Sequence, residues 1–332
     1  MNKIQVSICC ITYNQAKYIR QTLESFLMQK TNFAYEILVH DDASTDGTQE
    51  IIKEYEKKYP NIIKPIYQLE NQYSKGVSVS ELNFIRAKGK YLAFCEGDDY
   101  WTDSNKLQKQ FDYMEEHGDC GLCFHGVAKL NDKNKKIVGK ISPSKHSQKF
   151  LTKDIILGGG GFLGTNSIFC KSSLLQNLPS FYKKCKVGDY PLQLIMVADN
   201  YAYFMNEIMS VYRINVLTSW SNRNKRKSIG EAKIEKNNLY RNLIDMLKEY
   251  DKYTYKKYSA TIYKKIRIFE MEIFINDGEI KKIFSEEYKN EYKMLCVGKR
   301  VKGILNYFLP NFTGILVKLL KIIISKIKGY DI

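Results

Sequence analysis

The chain has 332 residues, with 52 Lys and Arg against 36 Asp and Glu, a net charge of +16 and 44% hydrophobic residues. That length suffices for one large domain with an appendage, or for two modest domains, each with a core of its own. The apolar content excludes wholesale disorder, the 20 Gly and 6 Pro exclude collagen-like sequence, and lysines break every apolar run short of the roughly 18 residues a spanning helix needs.

Gln5 to Ile11 is nearly continuous in apolar character, as a strand buried on both faces must be. Ala16 to Gln29 follows with Ile19, Leu23, Phe26 and Leu27 at helical spacing. Tyr35 to His40 predicts a second strand, ending in Asp41-Asp42. A helix from about Thr48 to Lys58 is expected next, capped by Asp46 with Gln49 completing a capping box, and stopped by Pro60. Ile62 to Gln68 predicts a third strand and Ser80 to Lys88 a helix. A fourth strand, Lys90 to Cys95, runs into Glu96-Gly97-Asp98-Asp99. Strand and helix in alternation give a mostly parallel sheet flanked by helices, an α/β fold.

Further along, a helix is expected over Lys106 to Glu116, a glycine loop at 158–161 and a strand over Ser167 to Cys170. Leu192 to Ala198 predicts a helix, and Tyr201 to Phe204 and Met209 to Arg213 two closing strands. After Ser219 the composition turns to Lys, Glu, Tyr and Asn in helical patterns, so one domain is drawn over 1–220 and a basic helical region over 221–332. The basic excess lies mainly in that second region, and no nucleic-acid motif accompanies it, so nucleic acid is not an expected partner.

Cys9, Cys10, Cys95 and Cys170 sit inside apolar strand-like runs, where buried free thiols are expected. Cys120 and Cys123 have a metal-like spacing, but no second Cys/His pair matches it, so a buried strand is the reading there. With no export signal evident after Lys3, reduced thiols and a cytoplasmic location are expected.

In an open parallel sheet, ligands bind where the strands end. Three of these strands end in polar groups: Thr12-Tyr13-Asn14, Asp41-Asp42 and Glu96 to Asp99. Acids gathered at one edge repel unless a cation or hydrogen-bond donors compensate them. Hard oxygen ligands of this kind suit Mg²⁺ or Mn²⁺ shared with substrate phosphates. Neither a G-x-G-x-x-G turn nor a P-loop is present, which argues against a dehydrogenase or P-loop NTPase.

Val6-Ser-Ile-Cys-Cys-Ile-Thr-Tyr-Asn14, Asp41-Asp-Ala-Ser-Thr-Asp-Gly-Thr48 and Ala87-Lys-Gly-Lys-Tyr91 leading to Glu96-Gly-Asp-Asp-Tyr-Trp101 resemble the family 2 glycosyltransferases of the GT-A fold, over about residues 4–220. The resemblance implies a nucleotide-sugar donor, usually a UDP-sugar, a divalent metal (Mn²⁺ or Mg²⁺) and inversion at the anomeric carbon. By motif position, Ile11, Thr12, Tyr13 and Asn14 would line the base pocket, with Tyr13 stacking on the base. Asp42 would accept from the uracil imide and Asp41 would support that loop. Asp98 and Asp99 would contact ribose and metal. Glu96 stands where the family's first acid does, leaving open how the three divide these roles.

Val187-Gly-Asp-Tyr190 resembles the family's late acidic motif, which makes Asp189 the candidate base for the acceptor hydroxyl. A catalytically silent relative, binding nucleotide-sugar or acting as a membrane scaffold, is the alternative. Ile304 to Ile327 places Leu and Ile beside recurring lysines, a pattern that can lie on an anionic membrane. With such a tail, the acceptor would be a glycan or lipid-linked glycan, as in cell-surface polysaccharide assembly.

Overall fold

The computed structural model describes residues 3–216, 228–295 and 297–308. Most of the basic tail considered above lies outside them. The described residues form two compact units, 3–183 with 187–216, and 184–186 with 228–308 except residue 296.

In the first unit, β1 (Ile4–Thr12), α1 (Ala16–Leu27), β2 (Ala34–Asp41), α2 (Thr48–Lys58), β3 (Ile63–Tyr67), α3 (Val79–Arg86) and β4 (Tyr91–Phe94) alternate as expected. They are followed by β5 (Tyr100–Trp101), α4 (Lys106–Glu116), β6 (Cys120–Asn131), β7 (Lys136–Ile141), β8 (Gln148–Phe150) and α5 (Thr152–Gly158). The unit closes with β9 (Phe169–Lys171), α6 (Ser180–Lys184), α7 (Asp189–Met196) and β10 (Tyr201–Ile214).

The sheet runs β3-β2-β1-β4-β9-β6-β10-β5, with β7 beside β6 and β8 beside β10. Its first half is wholly parallel, β1 pairing with both β2 and β4. Beyond β4 it becomes mixed: β9 is antiparallel to β4 and β6, and β10 is parallel to β6. The two closing strands expected at 201–204 and 209–213 are one strand, β10, with register shifts between Met205 and Ser210 that absorb the polar Asn206-Glu207 break.

Burial of both sheet faces explains the near-continuous apolar runs of the central strands, since Val6, Ile8, Cys10, Ile37, Val39, Leu92 and Ala93 are all fully or almost fully covered. On α1 the buried positions Tyr18, Ile19, Thr22, Leu23, Ser25 and Phe26 fall on one face, as the spacing predicts. The α2 start differs from expectation. Gly47, at φ 96°, occupies the capping position, and Gln49 turns away to donate to the Asp41 carboxylate at 2.7 Å. No capping box forms there, because Asp41 offers Gln49 a buried charged acceptor. Cys120 and Cys123 are buried in β6, as read from the sequence, and the seven described cysteines are all free thiols.

Two buried polar clamps fix the parallel half. Asn83 on α3 donates to the Cys10 and Leu38 carbonyls at 3.1 and 3.2 Å, pinning that helix across β1 and β2. Ser7 donates to Glu36 at 2.7 Å and accepts from the Gly89 amide at 2.9 Å, while the Lys88 amide reaches the same Glu36 oxygen at 2.8 Å. The Ala87-Lys-Gly-Lys-Tyr91 segment is therefore a packing motif. A Cβ on Gly89 would stand 2.5 Å from the Ser7 amide nitrogen and 2.7 Å from the Val6 carbonyl carbon.

The second unit contains α8 (Ile229–Tyr253), α9 (Ser259–Asp277) and shorter helices at Ile280–Ile283, Lys289–Met294 and Val297–Phe308. Its core gathers Met271, Ile275, Ile283, Tyr288 and Leu295. No described helix is long and apolar enough to cross a membrane.

Gly89→Ala is expected to lower unfolding free energy by about 2 kcal/mol or more, because backbone rather than a flexible side chain blocks the added methyl. A urea titration reads this; a variant as stable as the parent would show that β1 and the 87–90 turn separate easily.

Candidate active site

The carboxyl ends of β1, β2 and β4 meet at one rim, and their loops are sewn together by hydrogen bonds. Asn14 adopts the left-handed region at φ 53°, with its amide donating to Ser44 Oγ at 2.8 Å and its side-chain oxygen accepting from the Thr45 amide at 2.8 Å. The Gln15 amide donates to Thr48 Oγ1 at 2.9 Å, and the Ala16 amide to Asp46 at 3.0 Å. Two motifs 30 residues apart in sequence are thus halves of one structure. Ile11 and Thr12 bring β1 to this point, and Tyr13 stands half-buried beyond them.

Asp41 and Asp42 are both buried there. Asp41 accepts from the Ser44 amide at 3.0 Å and from Gln49, which ties the loop to α2. Asp42 accepts from the Gln72 and Tyr73 amides at 2.7 and 3.1 Å, while its own amide donates to the Thr12 carbonyl at 3.0 Å. His40 lies buried with Nε2 3.8 Å from Asp42, and burial lowers its pKa, so it stays neutral beneath the loop.

The Glu96-Gly97-Asp98-Asp99 turn docks onto the same rim through the Gly97 amide, which donates to the Ile11 carbonyl at 2.9 Å. Glycine is required at this approach, because a Cβ on Gly97 would lie 2.6 Å from Thr12 Oγ1 and 2.5 Å from Gln15 Oε1. The acids then diverge in role. Asp98 is bonded by the Gln15 side chain and feels the Arg213 charge, yet burial still raises its pKa to about 6. Glu96 is pushed up to about 8, by burial first and then by repulsion from Asp98 and Asp189.

Asp99, which the resemblance pairs with Asp98 for ribose and metal, has both carboxylate oxygens bonded within the protein. One oxygen accepts from the Arg213 amide at 2.8 Å and the other from Asn166 Nδ2 at 3.1 Å. Arg213, at the end of the expected closing strand, is also internal. Its guanidinium donates to the Asp98 carbonyl and Gln21 Oε1 and lies between the Tyr18 and Tyr100 rings, 5.0 and 4.5 Å from their centroids. Trp101 packs on Phe26 at 4.7 Å and donates to the Asn166 carbonyl at 2.9 Å.

Asp189 opens α7, with Gly188 before it. It is exposed, but the protein crowding its carboxyl raises its pKa, opposed by a hydrogen bond with Thr165. A cavity of about 60 Å³ brings Asp189 and Glu96 together over an apolar wall that includes Cys9, Ile11, Phe94 and Leu192. Late and early acidic motifs therefore share one recess.

Thr165 and Asn166 went unread in the sequence. Thr165 bonds Asp189, while Asn166 bonds Asp99 and the Val211 carbonyl (3.0 Å) and accepts from Ser210 at 3.0 Å. Their only signal was a short polar Thr-Asn-Ser interruption ahead of the apolar β9 run. His125 is buried in β6, with Nδ1 2.9 Å from the Gly126 carbonyl.

Strand order, sewn loops and an acid-lined recess at the sheet's carboxyl edge form an α/β architecture with a site at its rim, and comparison with known proteins shows which family builds it. The model for glycosyl transferase family 2 matches residues 7–176, and the chain belongs to that family. An uncharacterised Mycobacterium tuberculosis protein is 35% identical over 217 residues, 65% of this chain and 60% of the relative, so the chain spans about three fifths of that protein's length. The Escherichia coli protein named UDP-Glc:alpha-D-GlcNAc-diphosphoundecaprenol beta-1,3-glucosyltransferase WfgD is 29% identical over 231 residues, 68% of this chain and 83% of its own. The crystal structure of Staphylococcus aureus TarS residues 1–349 with UDP superposes with a TM-score of 0.53 at 17% identity, covering 92% of this chain and 89% of that one. The fold is the GT-A fold expected from the sequence.

Two outcomes follow from this geometry. Glu96, Asp98, Asp99 and Asp189 all hold their protons more tightly folded than unfolded, so unfolding releases protons and stability falls as pH rises from about 4 to about 8. Glu96→Gln should flatten that decline above pH 6, read from urea midpoints at pH 5, 6, 7 and 8; parallel curves for parent and variant would contradict it. Asn166→Ala should destabilise the fold by about 1–3 kcal/mol, because it strips a donor from a buried carboxylate. Asn166→Asp should be worse, by placing a second acid against Asp99.

Proposed function

We propose that this chain is an inverting glycosyltransferase that moves a sugar from a UDP-sugar to a glycan or lipid-linked glycan during polysaccharide assembly. The observation that carries this reading is the shared cavity of Glu96 and Asp189, at the rim where β1 and β4 end. The name of the Escherichia coli relative supports it, since that protein takes UDP-Glc and a diphosphoundecaprenol-linked GlcNAc.

In this reading the 11–14 and 41–42 loops hold the base, with the half-buried Tyr13 stacking on it and Asp42 fixed by two backbone amides beside it. Glu96 and Asp98 face the ribose and diphosphate. Asp189, anchored by Thr165, stands across the recess, where it takes the proton of the attacking acceptor hydroxyl. Its raised pKa suits that task, because a stronger base at neutral pH drives the transfer further. Both substrates are held in line by a rigid wall of buried side chains, which removes orientational entropy from the chemical step.

The donor set fits Mn²⁺ or Mg²⁺. Asp98 offers a hard oxygen beside a second acid, and burial leaves both carboxyls short of compensating charge. Among the described residues no three His, Cys, Asp or Glu side chains form a complete metal cage, so donor phosphates and water would complete the coordination. When bound, the ion neutralises charge on the leaving diphosphate. In this reading Asp98 is the main protein ligand of the cation, and Asp99, bonded to Asn166 and the Arg213 amide, supports the turn that carries it.

Asp189→Asn is expected to lower transfer by ~10²–10⁴-fold while UDP affinity by calorimetry changes little. Transfer near the parent rate would place the base elsewhere, and a parent inactive across donors and acceptors would favour the silent-relative reading. Asp98→Asn should remove the thermal stabilisation that Mn²⁺ with UDP gives the parent. In the parent that stabilisation should grow from pH 6 to pH 8, as the competing protons leave Asp98 and Glu96.

A further inference from the structure

The second unit carries a charge feature that the transfer chemistry does not use. From Lys252 to Phe269 the sequence holds six cations, Lys252, Lys256, Lys257, Lys264, Lys265 and Arg267, and no acid. The fold divides them. Lys265 and Arg267 are buried, the latter against Glu291 at 3.1 Å, and Lys252 pairs with Glu249 at 2.7 Å. Lys256, Lys257 and Lys264 remain exposed at the turn between α8 and α9 and on the first turns of α9. Among the described residues no salt bridge joins Lys256 or Lys264 to an acid.

Tyrosines are interleaved with these lysines, and they point outward. Tyr255 is 94% exposed, Tyr263 60% and Tyr253 45%, whereas Tyr258 in the same turn is buried. An aromatic side chain left that far in water is the unusual observation, since packing normally claims it. Backbone strain accompanies it: Tyr255 and Lys256 sit in succession in the left-handed region, at φ 51° and 63°. The turn is nonetheless firmly tied. Lys256 donates its amide to the Asp251 carbonyl at 2.8 Å, Ser259 Oγ donates to the Asp251 carboxylate at 2.8 Å, and Thr254 Oγ1 to the Tyr250 carbonyl at 3.0 Å. Asp251 is thereby tied into the turn, and the Tyr255 ring is held clear of the unit's own core.

We propose that this turn, with Tyr255, Tyr263, Lys256, Lys257 and Lys264, docks the protein on an anionic membrane surface. Tyrosine has an apolar body and a polar tip, which suits the headgroup layer, and lysines between such rings complement anionic lipid. A single-stranded nucleic acid would instead need a basic groove along which the backbone tracks, and a helical turn offers a tip. The proposal rests on the reading of a lipid-linked acceptor, which requires the enzyme to work at a lipid surface, and it locates the contact within the described fold rather than in the terminal tail.

Vesicle co-sedimentation with the full chain tests it, using phosphatidylcholine alone and with about a third phosphatidylglycerol. The parent should bind only the anionic vesicles. Lys256→Glu/Lys257→Glu/Lys264→Glu should weaken that binding by ~10-fold or more, and Tyr255→Ser by several-fold, with thermal midpoints and lipid-free UDP-sugar hydrolysis unchanged. A triple variant that binds vesicles like the parent overturns the proposal, as does a parent that prefers a single-stranded RNA oligomer to the vesicles. Vesicle binding is read without sugar transfer, so normal binding by a parent inactive on every donor would sink the functional reading and leave this surface standing.

Discussion

The active rim depends on the burial of the Asp99 carboxylate. A carboxyl removed from water is costly unless donors meet both oxygens. Here the Arg213 amide and Asn166 side chain do so from two different parts of the chain, β10 and the segment before β9. Those two bonds fix the direction in which the 96–99 turn leaves β4, and hence where Glu96 and Asp98 stand. The same Asn166 neighbours Thr165, which holds Asp189. Asp99 and Asn166 thus tie together the segments that carry Glu96, Asp98 and Asp189.

Glu96, Asp98 and Asp189 hold their protons more tightly than free carboxyls do. Desolvation is the leading cause of the raised pKa at Glu96, Asp98 and Asp189, and mutual repulsion adds to it at Glu96. Arg213 is close enough to moderate Asp98, but its guanidinium is committed to the Asp98 carbonyl and to Gln21. Burying these carboxyls gives up stability at this rim, an arrangement that recurs at functional sites. The sewn 12–16 and 42–48 loops supply the rigidity that such a site needs, through amide-to-side-chain bonds rather than through helix or sheet.

The parallel half of the fold was legible because its signals are local. Apolar runs without alternation mark strands covered on both faces, and α1 shows its buried stripe at helical spacing. The acidic positions at the ends of β2 and β4 were legible for the same reason, being contiguous with the strands that deliver them. What failed to read locally had tertiary causes. The capping box at α2 gave way to the Gln49–Asp41 bond, and β10 looked like two strands because its break is bridged by bulges against β6. Arg213 has the chemistry of a phosphate ligand, and only the closing strand's position shows that it faces inward.

From the amino-acid sequence alone came the α/β alternation, the three polar strand ends and the late acid at Asp189, because each is written in a short contiguous stretch. The tertiary structure decided how the Asp99 carboxylate is satisfied, since that follows from where β9 and β10 insert beside β4 and bring Asn166 and Arg213 to it. Partners separated by 67 and 114 residues leave no local pattern to read. Hydrogen-bond satisfaction of a buried charge is a property of the packed chain.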